Sequence, residues 1–104
     1  MLFNTKLSFI YFTTNLEMPR IMKRLLSRGK NWSVITSNEV DETTQLLQRG
    51  ADILLIGPGA SPSLIETWHT IAGDSNTTVI EHYGGGSGLL YNEIQEYLDH
   101  LKHS

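Results

Sequence analysis

Cysteine is absent from these 104 residues. That removes disulfides, thiolate catalysis and cysteine-ligated metal in one stroke, and it fits a reducing compartment. Long apolar runs are absent too. None approaches the roughly 20 residues needed to span a bilayer. Leu7 to Phe12 is too short for a secretory h-region, and no small-residue cleavage pattern follows it. The expectation is a cytoplasmic protein with no direct membrane insertion. Basic residues are scarce in the second half: six of the eight lie between Lys6 and Lys30, and after Asp52 only Lys102 remains. A basic cluster that small, in a chain of pI about 5.7, argues against nucleic acid as a partner. The uneven charge reads either as solvated helix faces or as a basic patch around the first helix that meets an acidic partner or anionic ligand.

The length suits one domain, residues 1–104, with a modest core. Its ordering stretch runs from Ala51 to Pro62. Ile53-Leu54-Leu55-Ile56 is a continuous apolar run, which fits a strand covered on both faces. Gly57-Pro58-Gly59 breaks it, Ser61 can cap a helix, and Pro62 sits at a first helical position. Around this unit the other elements follow. Lys6–Thr13 reads as a strand. A helix carrying Ile21, Met22, Leu25 and Leu26 comes next, started by a Thr14–Glu17 capping box or by a cap nearer Glu17, and ended by Gly29. Trp32–Thr36 is a strand, and a helix capped by Ser37 or Asn38 runs to Gly50. The helix from Pro62 carries Leu64, Ile65, Trp68, Ile71 and Ala72 and is expected to close at Gly73. Thr77–His82 is a fourth strand, and Leu90, Ile94, Tyr97, Leu98 and Leu101 stripe the last helix. The alternation β-α-β-α-β-α-β-α, with right-handed crossovers, implies an α/β fold: a single doubly wound four-stranded parallel sheet with helices on both faces, for which the flavodoxin-like order 2-1-3-4 is the one we choose.

In such a sheet every βα loop lies at the carboxyl ends of the strands, so Thr13, Asn15, Gly59, Ser61, His82 and Gly85 should converge there. Gly84-Gly85-Gly86-Ser87-Gly88 opens a helix and could cradle a phosphate with backbone N–H groups, or be a plain turn. It lacks the P-loop lysine and the dinucleotide spacing. Gly57, Gly59 and Ser61 form a second wall of the same crevice or a turn. His82, at the end of strand four beside Glu81, has the address of an acid–base or phosphoryl-accepting residue, or is a structural histidine. His69, His100 and His103 lie on helices without metal-ligand company, and no metal or other cofactor is expected. Ser61 and Ser63 lack a nucleophile elbow. A response-regulator receiver domain is disfavoured, since no acidic pair follows strand one and no aspartate ends strand three.

Ala51-Asp52-Ile53-Leu54-Leu55-Ile56-Gly57-Pro58, Val79-Ile80-Glu81 with Tyr83-Gly84 and Gly88-Leu89, and Phe9 to Phe12 together resemble the enzyme IIB subunits of the lactose/cellobiose class of the bacterial sugar phosphotransferase system. The likeness runs along nearly the whole chain in short pieces. It implies a small cytoplasmic phosphoryl carrier working between enzyme IIA and the membrane subunit IIC. In that family a cysteine ends strand one and accepts the phosphoryl group, within a glycine-containing loop. Here Thr13 stands at that position, followed by Thr14-Asn15-Leu16-Glu17-Met18, with no thiol and no glycine. A threonine hydroxyl is a poor nucleophile without an adjacent base. The resemblance therefore implies an impaired or regulatory IIB-like protein, with Thr13, Thr14 and Asn15 facing any bound phosphate. The alternative is a non-enzymatic flavodoxin-like module that binds a partner protein or a small anionic ligand.

Overall fold

A computed structural model of the chain describes residues 5–83 and 87–103. The elements alternate as β1 (Leu7–Phe12), α1 (Met18–Leu26), β2 (Trp32–Ser37), α2 (Val40–Arg49), β3 (Ile53–Ile56), α3 (Pro62–Asp74), β4 (Thr78–Glu81) and α4 (Ser87–His103). All strand pairs are parallel, and the sheet order is β2-β1-β3-β4. The expected topology is the one observed.

Burial follows from the period-two geometry of the strands. Leu7, Phe9 and Tyr11 of β1, with Ile53 and Leu55 of β3, face α1 and α4, where they meet Met22, Leu26, Leu90, Ile94 and Leu98. Ile10, Phe12, Leu54 and Ile56 face the other way, onto Leu47 of α2 and Trp68 and Ala72 of α3. All four β3 residues are fully buried, as a strand sandwiched between two helix layers must be. At about 1.5–3 kcal/mol for each large aliphatic side chain withdrawn from water, β3 anchors the fold. Trp68 stands edge-on to Phe12 with ring centroids 4.9 Å apart, and its indole N–H donates to Thr44 Oγ1 at 3.0 Å.

Several element ends differ from expectation, each for a local reason. No Thr14–Glu17 capping box forms. Glu17 itself is the N-cap of α1 without a side-chain bond, and Asn15 Oδ1 accepts the Glu17 N–H instead, at 3.0 Å. The α1 helix stops at Leu26, before Gly29, because Ser27 turns its N–H and hydroxyl back onto the last carbonyls. Glu39 is the N-cap of α2, while Ser37 Oγ accepts the Glu39 N–H from just outside the helix. The α3 helix runs through Gly73 to Asp74, and the left-handed residue after it is Asn76, at φ 56°. Ser61 does cap α3, its Oγ accepting the Leu64 N–H at 3.2 Å. Gly50 ends α2, its N–H bonded to the Leu47 carbonyl.

At the amino end of the sheet Asp52 ties β3 to β1. Its Oδ2 accepts the Ser8 N–H at 2.8 Å and the Ser8 hydroxyl at 3.2 Å.

Candidate functional site at the carboxyl end of the sheet

The backbone carries β1 and β3 to the same edge. Gly57 N–H donates to the Phe12 carbonyl at 2.7 Å, and His82 N–H donates to the Ile56 carbonyl at 2.9 Å. The loops after β1, β3 and β4 therefore leave the sheet side by side, so Thr13, Thr14, Asn15, Gly57, Gly59, Ser61 and His82 share one end of the molecule. Gly84, Gly85 and Gly86 lie outside the described residues. Ser87 is the first residue of α4.

The two central loops are stapled through one carbonyl, that of Pro58. It accepts the Thr13 hydroxyl at 3.0 Å and the Thr14 N–H at 3.0 Å, with the Thr14 hydroxyl at 3.5 Å. Thr13 is fully buried. Its Oγ1 also accepts the Asn15 N–H at 3.1 Å, and its own N–H donates to the Ser37 carbonyl at 3.2 Å. Both functions of the hydroxyl are thus used, the proton by a backbone carbonyl and a lone pair by a backbone amide. Among the described residues no histidine, lysine or carboxylate bonds to it. General-base activation of that oxygen has no agent in this arrangement.

Two glycines permit this close approach. Gly59 has φ +116°, a conformation that L side chains rarely adopt, and a Cβ there would collide with the Thr14 side chain. A Cβ on Gly57 would lie 2.6 Å from the Tyr11 hydroxyl. Tyr11 is fully buried beneath that glycine, and its hydroxyl makes no well-formed hydrogen bond among the described residues. Burial raises the Tyr11 pKa above its ordinary value, while the neighbouring Thr13 pulls it the other way. The glycines of the β3 loop are there to let β1 and its loop come near.

His82 is buried at 5% exposure, just past β4. Ser61 serves as a cap and lies 3.3 Å from Ser63 Oγ. The rim of this end mixes exposed polar residues, Thr14, Asn15, Glu17, Glu39 and Ser61 among them, with large apolar ones. Leu16 (76% exposed), Val40, Tyr83 and Leu89 all sit in βα loops or in the first turns of helices at the carboxyl side, and they are four of the six large hydrophobic residues that the described chain leaves exposed. Arg20, Lys23 and Arg24 add positive charge along α1 behind Leu16.

A second polar cluster joins residues that sequence spacing does not connect. Glu81 at the end of β4 holds His69 Nε2 of α3 at 3.3 Å through Oε2, and accepts the Tyr83 hydroxyl at 2.8 Å through Oε1. The Tyr83 and His69 bonds lower the Glu81 pKa. Burial and the Glu81 carboxylate push the Tyr83 phenol up to about 12. Below it, a groove of about 410 Å³ runs between β4 and α4, lined by Glu81, Glu93, Glu96, Tyr97 and His100 along with Thr78–Ile80. Among the described residues no three His, Asp or Glu side chains are placed to hold a metal ion, and no helix is long and apolar enough to cross a membrane. Set against known proteins, no family model matches the sequence, and no curated protein matches it either.

Proposed function

We propose that this chain is an enzyme IIB-like protein of the sugar phosphotransferase system that works in the cytoplasm by docking partner proteins and does not itself carry the phosphoryl group. The resemblance of the β1, β3 and β4 segments to that family supplies the system. The observation that carries the loss of transfer is Thr13, buried at the phosphoryl-accepting position with its hydroxyl committed to the Pro58 carbonyl and the Asn15 amide. The apolar part of the rim, Leu16, Val40, Tyr83 and Leu89 around the same end, favours a protein surface as the ligand over a small anion. Enzyme IIA and the cytoplasmic face of IIC are the partners the resemblance implies. The second reading, a flavodoxin-like docking module of another system, would use the same rim.

The test combines mass and binding. The protein is incubated with phosphoenolpyruvate, enzyme I, HPr and a lactose/cellobiose-class IIA, then weighed intact, and IIA binding is measured by calorimetry. Expected are no gain of one phosphoryl group (about 80 Da) and IIA binding that Leu16→Asp weakens. A phosphorylated species abolished by Thr13→Val would overturn the loss of transfer. One abolished by His82→Ala would move the carrier role to β4. Failure to bind either IIA or IIC would favour the module of another system.

A further inference from the structure

The two edges of the sheet are built differently, and the difference points to a partner for one of them. Edge strand β4 is four residues long and ends in Glu81, beside a groove that also holds Glu93 and Glu96. Short length and like charge are the usual protections of an edge. Edge strand β2 has neither. It is the six-residue run Trp-Ser-Val-Ile-Thr-Ser, with no charge, no proline and no glycine, and Ile35 stands 54% exposed at its centre.

The pairing of β2 with β1 fixes which of its backbone groups are free. Leu7 N–H bonds to the Asn31 carbonyl and Thr13 N–H to the Ser37 carbonyl, so the odd-numbered residues of β2 face β1. Val34 and Thr36 then turn both N–H and C=O outward. Trp32 N–H is already bonded to the Gly29 carbonyl. An added strand must therefore be satisfied by Val34 and Thr36. Charge sets its direction. Arg28 and Lys30 precede β2, while Glu39, Asp41 and Glu42 follow it. A parallel copy would set base on base and acid on acid. An antiparallel copy sets each basic end against an acidic one.

We infer that β2 is the contact edge of a two-fold dimer, in which β2 of a second copy adds antiparallel and the two sheets become one. The register that uses every outward amide places Val34 opposite Thr36 of the second copy and Thr36 opposite its Val34. Ile35 then lies on the two-fold axis against its own counterpart, which covers an apolar side chain that the single chain exposes. Lys30 comes beside Glu39 and Asp41 of the second copy. The operator is closed, so the product is a dimer and not a filament. The edge β4 offers only four residues to a second copy and carries the Glu81, Glu93 and Glu96 carboxylates beside it.

Sedimentation velocity across a concentration series up to about 1 mM measures the assembly; a dissociation constant there corresponds to about −4 kcal/mol. The expected result is a concentration-dependent dimer. Ile35→Lys, which sets two ammonium groups face to face at an exposed position, should raise the dissociation constant about tenfold or more. Lys30→Glu alone should weaken the dimer about threefold or more, and Lys30→Glu with Glu39→Lys should bring it back to within about twofold of the parent. Hydrogen exchange gives a residue-level readout: the amides of Val34 and Thr36 should gain protection on concentration, while those of Ser33 and Ile35 are protected throughout. A monomer at every concentration overturns the inference. So does a dimer that Ile35→Lys leaves intact, or one in which the charge exchange fails to restore what the single reversal removed. Circular dichroism on each variant separates a lost contact from a lost fold.

Discussion

Replacing Thr13 by valine keeps the shape of the side chain and removes only its hydroxyl. The buried bond to the Pro58 carbonyl disappears, and so does the acceptor for the Asn15 N–H. The two losses are unequal. Pro58 still receives the Thr14 N–H at 3.0 Å, so its carbonyl is not orphaned. Asn15 is exposed, and water can reach its amide. Neither group therefore bears the full cost of burial without a partner, and the expected loss is that of two ordinary hydrogen bonds, about 1–2 kcal/mol. For a domain of this size each kcal/mol moves the midpoint by about 4–8 °C, so Thr13→Val should melt roughly 5–15 °C below the parent. Urea unfolding followed by tryptophan fluorescence reports the same quantity, with an unchanged slope and a lower midpoint. The proposed function makes a second demand on this variant: its phosphorylation state must equal that of the parent, namely none. A Thr13→Val protein as stable as the parent would refute the staple, and with it the physical basis of the proposed absence of transfer at this hydroxyl.

Three further outcomes follow from the geometry. Gly59→Ala should destabilise by about 1–3 kcal/mol, since it combines a left-handed backbone with a collision against Thr14; thermal unfolding checks it, and a neutral result would mean that the loop relaxes freely. Leu55→Asp should prevent folding, because the side chain is fully buried between Tyr11 and Ile80 and an unpaired charge there costs several kcal/mol; a native-like circular dichroism spectrum would contradict the position of β3. Tyr83 should ionise near pH 12 in an ultraviolet titration differenced against Tyr83→Phe, and Glu81→Gln should lower that midpoint by removing the adjacent charge while burial keeps part of the rise. Because the folded state holds this proton more tightly than the unfolded chain, any stability it contributes is complete below pH 10 and is lost as the pH rises through about 12.

What the sequence reveals and what it hides divide along physical lines. The run Ile53–Ile56 announces itself because burial on both faces demands apolar residues without alternation, and that signal is local. The parallel sheet follows from the alternation of elements and the handedness of crossovers, while the order 2-1-3-4 is one of several that those rules allow. Helix ends are less legible. Gly73 is an equally good stop by composition, yet α3 continues past it and leaves the left-handed position to Asn76, since the last turn is bonded through the Ser75 N–H. The site is legible as a place and not as a set of contacts. That β1, β3 and β4 deliver Thr13, Gly57 and His82 to one end is a consequence of topology. That Thr13 spends its hydroxyl on the Pro58 carbonyl, 45 positions away, depends on a backbone oxygen that no residue type advertises. The Glu81 cluster is hidden for another reason: its side chains meet only through the fold, His69 and Tyr83 reaching Glu81 from a helix and a loop, twelve positions before and two after.

The chemistry of residue 13 connects the fold to the proposed absence of transfer. A thiolate that accepts a phosphoryl group must stay ionised and reachable, and it gains by accepting hydrogen bonds from loop amides. It has no proton to give. A threonine hydroxyl at the same position can do what the thiolate cannot, which is to donate; once it donates to the carbonyl of the neighbouring loop, it binds the two loops together and withdraws the oxygen from solvent. The surrounding residues match that use. Gly59 supplies the backbone conformation that lets the β3 loop meet Thr14, and Asn15 turns the chain into α1 by accepting the Glu17 amide, with no glycine needed to open the loop around an anion. At the carboxyl end of the sheet the β1 and β3 loops thus form a hydrogen-bonded floor, with Leu16, Val40, Tyr83 and Leu89 exposed around it. In the proposed role that surface binds by shape and burial at its edge, and a protein partner uses it without any group passing across the floor.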